Sequence, residues 1–252
     1  MKYILEQIKT ALKSRYFISS IAMIIISCLL SLNLNLRILE QGSQQSIGGI
    51  NKFILCTTEC SPIMYIISPL VPFLASYVLY DKNERVSTKK SVAIGISGGL
   101  VFLLGKLILI LILIIFDFKN VQYAAQYIPF IDIWVDNNYI YALISILNSV
   151  IFGTTMSILI YGLISISNKP TGIVSVFIFY NLYSYILAII PTNLTAIVPW
   201  IPMLPYEIST IQVSLAKRVY EFALMLLIGI LLLIMSRIRE QKKRLKENVI
   251  NE

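Results

Sequence analysis

The chain has 252 residues, 57% hydrophobic and 13% charged, with a formal net charge of +8 and no histidine, and its mean hydropathy is +0.79. An average soluble domain is about 25% charged, so this composition excludes a water-soluble globule and points to a bilayer, where about 20 residues per crossing leave room for roughly six spans. The missing histidine excludes every His-dependent triad, dyad and zinc site.

Met1 to Ser14 is predicted to be an amphipathic helix: Ile4, Ile8 and Leu12 follow at i, i+4 and i+8, flanked by Leu5 and Ala11, with Lys2, Glu6, Lys9 and Lys13 on the other face. Such a helix lies in the interface plane with its cations toward headgroups, either as an anchor or as an elbow that also meets a cytosolic partner. The first span follows near Tyr16 to Leu34 and is too long for a cleaved signal peptide. Cys28 falls inside it, while Cys56 and Cys60 stand at the mouth of the second span, compatible with a disulfide or with two buried thiols. The second span, Pro62 to Tyr80, carries Pro62, Pro69 and Pro72. Prolines remove donors and bend a helix, so this span is expected inside a bundle or dimer, where neighbours satisfy the freed carbonyls.

The segment Asp81, Lys82, Asn83, Glu84, Arg85, Val86, Ser87, Thr88, Lys89, Lys90 is the densest internal charge run. It reads either as a solvated turn or as a docking surface, with Ser91 to Gly99 forming a short interfacial helix behind it. The third span is placed at Gly98 to Phe116 and contains Lys106. A cation at membrane depth has to snorkel, pair or face an aqueous cavity; a start near Gly98 leaves Lys106 in the inner half, within snorkelling reach. The fourth and fifth spans are placed at Tyr139 to Ile164 and Ile173 to Ile190. Between them and the sixth, Val219 to Ser236, lies Pro191 to Arg218, too apolar for an exposed loop and broken by Pro199, Pro202 and Pro205 around Trp200. Short re-entrant helices on the outer side suit this segment. Glu221 is set for a local pair with Lys217 or Arg218. The tail, Arg237 to Glu252, continues as a basic helix suited to anionic lipid or to a protein site.

The fold class is thus all-α, a single six-span transmembrane domain with an interfacial helix at 1–15, a bundle at 16–236 and a basic tail at 237–252. With both termini on one side, that side holds Lys2, Lys9, Lys13, Arg15, Lys82, Arg85, Lys89, Lys90, Lys169 and the six cations from Arg237 to Lys246. The other holds Arg37, Lys52, Lys119, Lys217 and Arg218. The bias puts both termini in the cytoplasm and accounts for the net charge without nucleic acid. A phosphate-binding loop is absent: Gly99 to Lys106 has the wrong spacing, Leu107 lacks a hydroxyl, and the stretch is inside a span. Enzyme chemistry survives only as a Ser/Lys arrangement around Lys106.

Taken together, the amphipathic elbow, six spans, the charged loop between the second and third, and the re-entrant segment before the last resemble the membrane subunit of an ABC-2 type transporter. Locally the resemblance rests on Ser68-Pro69-Leu70 to Ser76-Tyr77, then Tyr80-Asp81-Lys82, then Gly105-Lys106 leading the third span. It implies a dimer of two permease chains, alike or paralogous, on two cytosolic ATPase subunits. ATP and magnesium would be bound there and no cofactor by this chain. Asp81, Lys82, Glu84, Arg85, Lys89 and Lys90 would contact the ATPase, and the cargo would be an amphipathic peptide, drug or lipid-like molecule. The competing expectation is an ATP-independent channel, secondary transporter or immunity protein; the internal repeats and midplane carboxylates common in secondary transporters are not found.

Overall fold

Among the residues that the computed structural model describes, 1–40, 62–80, 87–116, 138–167, 174 and 215–250, every regular element is a helix. Helix α1, Lys2–Leu12, forms from the amphipathic opening segment. Its Ile4, Ile8 and Leu12 pack against the protein core, Ala11 is fully buried, and Lys2, Glu6, Lys9 and Lys13 are exposed. The Ser14 hydroxyl accepts the Phe17 amide at 3.1 Å and so caps the start of α2, Arg15–Glu40. The two helices meet at a bend of 62°. Phe17, Ser20, Ile24, Ser27 and Cys28 make the buried stripe of α2, spaced as one helix face. The serines donate back into their own helix, Ser20 to Tyr16 O at 2.7 Å and Ser27 to Met23 O at 2.6 Å, and their small size lets neighbouring helices approach.

The predicted second span is interrupted. Helix α3 runs Pro62–Ala75 with Pro69 and Pro72 inside it, and a 3-10 turn follows at Tyr77–Leu79. One turn after Pro72 the helix gives way, and the Ser76 amide bonds Phe73 O at 3.2 Å. The Pro72 carbonyl instead accepts from Ser76 Oγ at 3.1 Å and from Ser157 Oγ at 3.4 Å. Side chains therefore satisfy a carbonyl that the helix ladder leaves out. Pro69, Val71, Pro72, Phe73 and Ala75 are buried, as expected for a proline-bearing segment packed inside a bundle.

Helix α4, Thr88–Phe116, begins well before the predicted boundary at Gly98. Ser91 to Gly99, expected as a separate interfacial helix, is the first part of this continuous helix. Ser87 caps it, accepting the Lys90 amide on its hydroxyl at 3.1 Å. Helix α5 is Asn138–Ile166, and α6, Leu215–Ile250, carries the basic tail on from the last apolar segment without a break. Helix α4 touches α1, α2, α3 and α5, and α1 also rests on the turn Tyr77–Leu79. Helix α1 is thus seated on protein along its apolar stripe.

Glycines set the closest approaches. A Cβ on Gly98 of α4 would run into Ser157 Oγ of α5 and stand 2.6 Å from Gly153 O, so the two helices meet backbone to backbone. Phe102 then meets Phe152 edge-on with centroids 5.9 Å apart, which makes α4 and α5 antiparallel. Between α5 and α6 the order is parallel: Gly229 stands against Ile158 and Leu159, Gly162 against Leu232, and Ser236 Oγ donates to Ser165 O at 2.9 Å.

Among the described residues three helices are long and apolar enough to cross a membrane, within Thr88–Ile115, Ala142–Ile166 and Phe222–Lys242, and four if the bent pair α1 and α2 is one span. Leu111, Leu143, Leu147 and Met235 are each more than half exposed, an apolar exterior suited to lipid and foreign to a soluble monomer. Apart from Val174, the predicted fifth span lies outside the described residues, as do Pro199, Trp200, Pro202, Pro205, Cys56 and Cys60. Cys28 is a free, buried thiol.

Candidate functional site

Lys106 lies on α4 about 27 Å along the axis from Thr88, toward the Phe116 end. It is 0% exposed, and its Nζ donates to Ser145 Oγ at 2.9 Å and to Ser145 O at 3.2 Å on α5. The snorkelling expected of it does not occur. Helix α4 starts ten residues earlier than the sequence suggested, the head group is enclosed by protein on Ser145, and beside it Gly105 brings Ile24 of α2 close, to 3.0 Å from where a Cβ would sit. Ser149 Oγ donates to the same Ser145 carbonyl at 2.9 Å. The helices that hold Lys106, α4 and α5, contain no Asp or Glu.

A hydroxyl and an amine at hydrogen-bonding distance are two parts of a Ser/Lys nucleophile. The other parts do not accompany them: Ser145 sits in the interior of α5, where backbone amides belong to the helix ladder, and both side chains are closed off at 0% exposure. What the contact does is hold a cation between two apolar helices on a hydroxyl and a carbonyl. Among the described residues no three His, Cys, Asp or Glu side chains come together as a metal site would require.

The opposite end of α4 gathers the basic residues. Arg237 of α6 donates from Nη2 to Thr88 Oγ1 at 2.9 Å, and Arg239 from Nη1 to Ile166 O at 2.9 Å, covering a carbonyl at the end of α5 that has no helical donor. A run of rings joins the same end to the bend between α1 and α2. Tyr16, at the start of α2, lies 4.7 Å from Tyr77, Tyr77 lies 5.5 Å from Phe73, Phe73 stacks on Tyr80 at 5.4 Å, and Tyr80 lies 5.8 Å from Tyr161 of α5. Tyr80 is 2% exposed, and its hydroxyl makes no hydrogen bond of ordinary geometry among the described residues.

Of the residues read as a docking surface, Lys89 is exposed at this basic end, whereas Lys90 is 1% exposed and so turned into the bundle. Asp81, Lys82, Glu84 and Arg85 lie outside the described residues, between Tyr80 and Ser87, and so do the side chains of Lys217, Arg218 and Glu221. Gly98 to Lys106, the stretch tested as a phosphate loop, is helical, and its glycines serve packing. Sequence reasoning missed Ser145 as the partner of Lys106. The available signal was the polar cluster of Ser145, Asn148 and Ser149, grouped within about one turn of a mostly apolar span.

The chain matches no protein-family model, and neither curated proteins nor solved structures show a significant likeness to it. Among the described residues the fold is all-helical, with three or four helices of membrane-crossing length and composition.

Proposed function

We propose that the chain is the membrane-spanning permease subunit of an ATP-binding cassette exporter, moving an amphipathic peptide, drug or lipid-like substrate across the cytoplasmic membrane. A separate cytosolic ATPase, binding ATP and magnesium, supplies the energy, and a second permease chain, the same or paralogous, completes the pathway. The observation that carries this reading is the seating of α1 on α4 and on the turn Tyr77–Leu79, directly before the charged residues Asp81 to Lys90. A push on that charged segment has a short mechanical route into the elbow and two long helices. The parallel course of α5 and α6 further supports a return crossing between them, where the sequence reading sets the fifth span, and the basic residues of α4 and α6 at one end support a cytoplasmic face there. Docking falls to Asp81, Lys82, Glu84, Arg85 and Lys89, with Lys90 serving the packing beneath.

The test is affinity purification of the full chain from its native membranes in a mild detergent, with ATP hydrolysis measured in the product. A stable complex is expected, with ATP hydrolysis that falls several-fold when Arg85 and Lys89 are both reversed to Glu. Failure to associate in any mild detergent would overturn the proposal. The buried Lys106 favours the second reading, an ATP-independent channel, secondary transporter or immunity protein, since intramembrane cations often line ion paths. That reading requires activity from the lone chain in liposomes.

A further inference from the structure

The structure points to a lipid site at the junction of α4, α5 and α6. Its basic part is Arg237 and Arg239, both fixed in place by hydrogen bonds at 2.9 Å, with Thr88, the partner of Arg237, and its chain neighbour Lys89 both exposed. From Arg237 to Lys246 the chain carries six cations against one carboxylate, Glu240. Above this base the surface turns apolar at once. Val92, one turn from Thr88, is 40% exposed, and Ile234, one turn from Arg237, is 46% exposed. The i, i+4 and i, i+3 spacings put each on the same helix face as the polar residue below it. Ile158 of α5 forms the floor between the two flanking helices: Gly95 of α4 approaches it from one side and Gly229 of α6 from the other, each to about 3 Å of where a Cβ would lie.

Val92 and Ile234, each one helical turn of roughly 5 Å above the polar base, therefore form an apolar strip that ends on a basic, hydroxyl-bearing edge. That is the layout of a phospholipid, not of a soluble anion or an acidic protein face, neither of which uses the exposed apolar strip. We propose that Arg237, Arg239, Lys89 and Thr88 bind the headgroup phosphate of an acidic phospholipid, one acyl chain of which lies along Val92 and Ile234. The arginine fork suits a phosphate, and basic pockets between membrane helices hold acidic headgroups. The proposal rests on the membrane reading of the helices and not on the export role.

The full chain, purified in a neutral detergent, is titrated in native mass spectrometry with phosphatidylglycerol and, separately, with phosphatidylcholine of the same acyl chains. One phosphatidylglycerol per chain is expected to bind with a preference of about tenfold. The double variant Arg237→Gln with Arg239→Gln should lose the preference, while Lys242→Gln with Lys243→Gln and Lys246→Gln, in the tail beyond the cleft, should keep it. Val92→Trp fills the strip without touching a charge and should weaken binding of phosphatidylglycerol several-fold, which keeps the test intact if the arginine variant fails to fold. Equal binding of the two lipids, an unchanged preference in the arginine variant, an equal loss in the tail variant, or full competition by glycerol phosphate would each overturn the proposal.

Discussion

Lys106 stands where an ammonium is expensive, several kcal/mol above an apolar side chain on membrane insertion scales, and it is held there by Ser145. Replacing a buried charged group by an apolar one of similar volume is often neutral or stabilising, whereas removing its partner leaves the charge exposed to an apolar interior. Ser145→Ala is therefore expected to lower stability by about 1 kcal/mol, a typical net value for one intramembrane hydrogen bond, read as a fall in the thermal midpoint in detergent. Lys106→Met should leave that midpoint unchanged or raise it. If Lys106→Met proves much the worse of the two, the ammonium has a charged partner and neutral acceptors are not what holds it. The anomalous lysine was legible in the sequence as a cation inside an apolar run. Its partner was not, because a serine in a span looks the same whether it faces a lysine or its own helix, as Ser20 and Ser27 do. The choice depends on the register between α4 and α5.

That register belongs to the elements, and glycine sets it. Gly98 and Gly153 meet backbone to backbone, so Gly98→Ala drives a methyl group toward the Ser157 hydroxyl and the Gly153 carbonyl, neither of which can retreat far within a helix. The expected loss is about 1–3 kcal/mol, the usual range for overpacking a tight contact. Gly105→Ala is the milder comparison: the nearest atoms to its methyl group would be Cδ1, Cγ2 and Cβ of Ile24 at 3.0, 3.2 and 3.3 Å, with no backbone atom among them, so a shift of a few tenths of an ångström accommodates it and the expected loss is smaller than at Gly98, about 1 kcal/mol. Comparing thermal midpoints of the two variants checks the pair; equal losses would mean that α4 and α5 are not locked at Gly98. Element existence was legible from apolar runs and the amphipathic opening segment. The boundaries were harder: residues 88 to 97 look too polar for a span, yet Ser87 caps them into one helix with Gly98 to Phe116. In α3, Pro72 was visible in the sequence, but the Ser157 hydroxyl that relieves its carbonyl sits 85 residues away.

At the scale of the whole molecule, direction carries the most information. Arg237 reaches Thr88 and Arg239 reaches Ile166, so the start of α4, the end of α5 and the basic stretch of α6 share one end. Tyr139, 64% exposed at the start of α5, belongs to the other, since α5 runs from there to Ile166. On the proposed membrane reading, the positive-inside rule predicts a cytoplasmic basic end, and labelling reads the orientation directly. In a background where Cys28, Cys56 and Cys60 are serine, Tyr139→Cys should react with a membrane-impermeant maleimide in intact cells, and Lys89→Cys and Lys242→Cys only after permeabilisation. The reverse pattern would put Asp81 to Lys90 outside the cell and remove the proposed ATPase contact with it. Labelling of all three from one side would deny that α4 and α5 cross the bilayer at all. The expected pattern leaves α5 and α6 entering from outside and leaving at the same cytoplasmic face. The chain then has to recross between Ser167 and Leu215, the step on which the six-span permease reading depends.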